Sequence, residues 1–153
     1  MSTGIRFVAE CYNIETGGLL EREILRTDEI KRPQKIKDLG YLHTEQIAFL
    51  QSIQDFKLKH ETKLINEEET CPRCGRRMSL RGTRESKFHA VLTDHKVNIK
   101  RRRCQCGLGM PDSVEGIYGS SLHPDLVEKQ VIQGAENSYR QASRQLNAEG
   151  KTN

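Results

Sequence analysis

The chain has 153 residues, enough for one compact domain or two small ones. Only 35% are hydrophobic, Trp is absent and the mean hydropathy is −0.72, which restricts any core to a thin one. The formal net charge is +4, and residues 1–10 carry neither a long apolar run nor a small-residue cleavage pattern, which argues against a signal peptide and a membrane span. The expected location is the cytoplasm, where thiols stay reduced and paired cysteines favour metal over disulfide.

In chain order, residues 4–14 mix apolar and β-forming types and end at Thr16, Gly17 and Gly18, a strand followed by a turn. Cys11 lies in this apolar run and reads as a buried structural cysteine. Residues 19–30 suit a second strand, with Leu20, Arg22, Ile24 and Arg26 on one parity and Glu21, Glu23 and Leu25 on the other. Lys31, Arg32 and Pro33 open a connector, because proline disfavours helix at the residue before it.

The spacing predicts a helix over residues 44–64. Thr44 is the expected cap, and Glu45 complements the positive end of the macrodipole. Phe49, Ile53, Phe56 and His60, joined by Ile47 and Leu50, form its apolar stripe. Residues 66–70, with three consecutive glutamates, read as a solvated hinge.

Beyond the hinge, Cys71 and Cys74 with Gly75, then Cys104 and Cys106 with Gly107, form two short chelating turns. Four thiolates complete the tetrahedral shell that Zn²⁺ prefers and leave no open position, so the ion would be structural. In small peptides such an ion contributes roughly 10–16 kcal/mol of apparent binding energy, comparable to the stability of a whole domain. The one-residue spacer of the second pair is tighter than usual, and disulfides, free thiols or an iron site remain alternatives. His89, His95 and His123 are substitute ligands if the short turn cannot place both sulfurs.

Between the pairs, residues 86–93 and 97–103 read as two strands around a turn at 93–96. Phe88, Ala90 and Leu92 share one face, as do Val97 and Ile99. Residues 71–110 hold 11 of the 25 basic residues and only 2 of the 21 acidic ones. Apart from Lys96, these cations are the candidate nucleic-acid contacts: Arg73, Arg76, Arg77, Arg81, Arg84, Lys87, Lys100, Arg101, Arg102 and Arg103. Lys100 and Arg102 share a strand face, and a sheet this small leaves charges in water. Arginine forks suit phosphate oxygens. Phe88 is the module's only aromatic ring other than histidine, so duplex backbone is a better expected target than stacked single strands.

After Pro111 the chain loops through Gly116 and Gly119. A helix opens at His123 and Pro124 and runs to about Gln133. Ser138 to Gln141 has capping-box spacing, ahead of a last helix with Tyr139, Ala142 and Leu146 on one face. The pair suits the start of a helix-turn-helix.

This order of features resembles the N-terminal region of the ISKra family of insertion-sequence transposases. The resemblance rests on residues 6–13, Leu39 to Glu45 leading into Phe49 to Gln54, both cysteine pairs, Arg101 to Arg103, Leu122 to Leu126 and Ser138 to Ala142. It implies a zinc-ribbon DNA-binding and assembly segment. The family's RNase-H-like catalytic domain has no counterpart in this chain. Asp94, Asp112, Glu115 and Asp125 are isolated acids, and transposase activity is not carried over.

The expected fold is therefore α+β: an N-terminal strand–helix region (1–66), a zinc ribbon with an antiparallel hairpin (67–110) and a C-terminal helical pair (111–153). The expected function is non-catalytic binding of DNA by a transposase-derived protein. The alternative is a protein-interaction or inhibitor module of a mobile element, acting on a defence or transposition complex or forming a homodimer.

Overall fold

The structure, a computed structural model, describes residues 3–136 and 139–148. It is α+β, with two separate antiparallel hairpins and several helices. The chain divides into two units, the first ending at Phe56 and the second beginning at Lys57. Among the described residues no helix is long and apolar enough to cross a membrane.

In the first unit, β1 (Thr3–Tyr12) pairs with β2 (Leu19–Ile30). Their turn is closed by Asn13, whose carboxamide oxygen accepts from the backbone of Glu15 and Thr16, both at 2.9 Å. Gly17 supplies the left-handed residue at φ 68°. The untidy alternation of β2 has a cause. Phe7 pairs with Arg26 but Val8 with Ile24, so Leu25 is an extra residue bulged out of the ladder.

A single 3₁₀ turn (Ile36–Asp38) follows, and then α1 (His43–Glu67). The helix starts one residue before the expected Thr44 cap. Glu45 reaches back to accept from the N–H of Leu42, the residue just before the helix, at 2.7 Å, the glutamate half of a capping box.

The Phe49 ring meets Phe7 at 4.7 Å between centroids, and Tyr41 meets Phe7 edge-on at 6.4 Å. No residue of β1, β2 or α1 is buried, and Cys11 is half-buried. In place of a core the unit has a polar keystone at Arg26. Its Nε donates to both Asp28 carboxylate oxygens at 2.7 and 2.8 Å, and its Nη1 donates to Glu45 O at 3.3 Å. Its guanidinium lies 4.4 Å from the centre of the Tyr41 ring. The Tyr41 hydroxyl closes the loop by donating to Asp28 at 2.8 Å.

In the second unit, β3 (Ser79–His89) pairs with β4 (Asp94–Arg103), followed by α2 (Val114–Tyr118), α3 (Pro124–Glu136) and α4 (Tyr139–Ala148). The hairpin turn lies at residues 90–93, where Ala90 N–H donates to Thr93 O at 3.1 Å, and not at 93–96 as expected. His95 is the reason. It is 3% exposed beside Val97 and Ile99 and stacks near Phe88 at 6.3 Å, so the buried alternation extends through it. Val114 and Ile117 of α2 cover this face.

The stretch after Pro111, expected to loop through Gly116 and Gly119, instead forms α2. Its signals are local: Ser113 Oγ accepts from Gly116 N–H at 3.0 Å, and Gly119 ends the helix at φ 76°. α3 begins at Pro124 as expected, with His123 Nδ1 accepting from Asp125 N–H at 3.2 Å. Ser138, the expected cap of α4, and the side chains of Tyr139, Ala142 and Leu146 lie outside the described residues.

The Arg26 keystone makes a pH prediction. The Arg26 hydrogen bond, then that of Tyr41, holds the Asp28 carboxyl below the usual carboxylate range. A depressed carboxyl stabilises the fold above its unfolded pKa, and that contribution is lost as pH falls through the folded value. Asp28→Asn is expected to reduce stability at neutral pH and to flatten the acid limb below about pH 4. Amide NMR of β2 through an acid titration measures it.

Candidate metal centre and basic hairpin

The four cysteines that the sequence pairs by spacing converge in space. Their sulfurs all lie within 4.8 Å of one another, with Cys71 to Cys106 at 3.7 Å and Cys74 to Cys104 at 3.4 Å. Metal–sulfur bonds of about 2.3 Å in a tetrahedron require sulfur pairs about 3.8 Å apart, so the donor set fits a closed four-thiolate ion site. Cys71 and Cys104 are buried, Cys106 half-buried and Cys74 exposed.

The backbone explains how two unequal spacers reach one point. In the first turn Gly75 N–H donates to Cys71 O at 2.9 Å, and Cys71 N–H to Arg76 O at 2.9 Å. In the second, Gly107 N–H donates to Cys104 O at 3.1 Å, and Cys104 N–H to Leu108 O at 2.7 Å. Each closure in the second turn spans one residue fewer. The missing spacer residue is absorbed by a tighter turn, and Gly75 and Gly107 both take positive φ, 67° and 89°.

Backbone N–H groups point at the sulfurs. That of Arg76, with Cys104 next in weight, lowers the Cys74 thiol to about 6, and that of Leu108 lowers Cys106. Cys104 is drawn down by the Cys106 N–H, but burial and the three neighbouring sulfurs push it up to about 11. Met78 is buried against the cluster, with Leu108 and Met110 packed beside it.

The substitute ligands stay apart from the sulfurs. His89 Nδ1 faces Asp94 at 2.9 Å, His95 lies in the hairpin's buried face, and His123 caps α3.

The structure divides the ten candidate phosphate contacts. Arg102 is not among the exposed cations as expected: it is 7% exposed. Its Nη2 donates to Asn66 O and to Glu69, both at 3.0 Å. Glu69 also takes Arg77 at 2.6 Å, and those hydrogen bonds, Arg77 first, hold its carboxyl below the usual range. Arg84 and Arg101 share Asp112 at 3.2 and 2.9 Å. Arg73, Arg76, Arg81, Lys87, Lys100 and Arg103 have no acidic partner among the described residues. Lys87 stands directly opposite Lys96 in the ladder, and Lys96 is answered by Glu85 at 3.2 Å.

The acidic hinge at 66–70 is not a solvated linker. The Asn66 carboxamide donates to Asn98 O and accepts from Lys100 N–H, both at 2.7 Å, occupying the free edge of β4 as a neighbouring strand would. Met78 N–H donates to Glu69 O at 2.8 Å. Sequence periodicity offers no signal for this, because the acceptor and donor lie over 30 residues from Asn66.

A slip in the β3 ladder accompanies these contacts. Leu80 pairs with Arg102 and Thr83 with Lys100, leaving one extra residue in β3, where Gly82 takes φ 117°.

Comparisons with protein-family models, with curated proteins and with solved structures give no match.

Two predictions follow from this geometry. Metal uptake should release protons, because Cys104 is a thiol at neutral pH, so affinity should fall from about pH 8 to about pH 6. Co²⁺ titration followed by its thiolate absorption checks this. Asn66→Ala should cost about 1–3 kcal/mol, read by denaturant unfolding, since it strips two partners from the β4 edge.

Proposed function

We propose that the chain is a zinc-ribbon protein, derived from an ISKra-type transposase, that binds nucleic acid without catalysing a reaction on it. Duplex DNA is the proposed ligand. Zn²⁺ is the proposed ion because four thiolates form a closed tetrahedral set, which makes its role structural.

The observation that carries the reading is the charge left after internal pairing. Six hairpin and turn cations have no acidic partner among the described residues, and Glu69 and Asp112 each answer two arginines. An isolated surface of this kind repels itself. A polyanion removes that penalty. Arg76 and Arg103 adjoin the two turns that bring the sulfurs together, so an ion there would set the spacing of their backbones. Arg102 then belongs to the scaffold, and Arg81, Lys100 and their unpaired neighbours make the contact.

The protein-interaction reading has its own support. On α1, Leu50 and Ile53 are 49% and 43% exposed, an apolar stripe left in water.

Titrating duplex binding against salt tests the proposal. With all six cations on phosphates, log affinity should fall with log salt at a slope of about −5. Arg81→Gln with Lys100→Gln should flatten the slope by about 2. Chelation should abolish both fold and binding. Absence of binding at low salt, or binding indifferent to those two substitutions, would sink the reading. Loss of complex formation on Ile53→Glu alone would favour the protein-interaction one.

A further inference from the structure

The first unit carries an unprotected sheet edge. β1 is paired on one side only, in a two-stranded sheet of the kind that is marginal in water by itself. Among the described residues nothing pairs with its other edge.

The two strands differ in how they resist further pairing. β2 holds Glu21, Arg22, Glu23, Arg26, Asp28 and Glu29, and it carries both bulged residues. Charges and bulges are the devices that blunt an edge. β1 has ten residues with no Lys and no Pro, no bulged residue of its own, and only two charges, Arg6 and Glu10.

The placement of those two charges selects a partner. In an antiparallel pairing of β1 with a second β1 across a twofold axis at Val8, Arg6 stands opposite Glu10 of the other copy, and Glu10 opposite its Arg6. Both ion pairs form at once and on one face. On the other face, Phe7 meets Ala9 of the second copy, and Ile5 meets Cys11. The large ring meets a small residue, and Ile5, now 43% exposed, gains an apolar neighbour. A shift by one residue loses both ion pairs.

We infer that β1 is a self-association edge: two copies of this chain join antiparallel through β1, in the register centred on Val8, into one four-stranded sheet ordered β2–β1–β1–β2. This goes beyond nucleic-acid binding and stands without it. It would give a dimer with two basic hairpins.

The test is the oligomeric state of the full metal-loaded chain by sedimentation across concentration, with charge exchange. The parent should be a dimer. Arg6→Glu places like charges at both pairs and should weaken dimerisation about tenfold or more. Position 6 faces the uncharged Thr27 within the chain, so circular dichroism should show that this variant remains folded. Glu10→Arg should also weaken it, but it places an arginine opposite Arg22, which Glu10 pairs at 3.5 Å within the chain, so Arg6→Glu is the decisive variant. Mixing the two single variants should restore a heterodimer, and Arg6→Glu with Glu10→Arg in one chain should restore the homodimer. Val8→Cys should yield a covalent dimer on mild oxidation that the parent does not form. A parent that stays monomeric at all concentrations, or a dimer indifferent to Arg6→Glu, would overturn the inference. Loss of DNA binding with the dimer intact would count only against the function proposed above.

Discussion

Four sulfurs from two turns 30 residues apart must meet within 4.8 Å, and the order of the second unit depends on that meeting. Cys71 and Cys74 lie just before β3, and Cys104 and Cys106 just after β4. Their convergence closes the open end of the hairpin, while residues 90–93 close the other. A two-stranded ladder is weak alone. Held at both ends, with Met78, Leu108 and Met110 packed on the sulfurs and Val114 on Val97 and Ile99, it has one register.

Scarce acid is the second theme. Glu69 and Asp112 each hold two arginines, but only one of the four, Arg102, is buried. Burying a guanidinium requires an opposite charge and accepted hydrogen bonds, and the hinge supplies both through Glu69 and the Asn66 carbonyl. The same hinge seals the β4 edge. In the proposed function this separates arginine as scaffold from arginine and lysine as contact. In that proposal the cations that remain unpaired repel one another in the isolated chain, and an anionic partner would relieve them.

The first unit is built on a different principle. It has no buried residue in its strands or helix, and a polar cluster of Arg26, Asp28, Tyr41 and Glu45 joins β2 to the start of α1. A hairpin so thinly packed keeps its order more readily when its sheet is continued. That is the physical pressure behind the proposed pairing of β1.

Local sequence was enough to determine what local physics controls. The strand at residues 19–30, the proline-led start of α3 and the two cysteine pairs are legible because turn glycines, capping groups and spacing act over a few residues. Ser113 and Gly119 were equally local, and α2 could have been read from them. Tertiary structure alone decided that Arg102 turns inward, that Asn66 seals an edge and that His95 belongs to a buried face. Alternation assigns a residue to a side of a strand, but not what covers that side. The covering group, such as Glu69 for Arg102 some 33 positions away, is chosen only when the chain closes on itself.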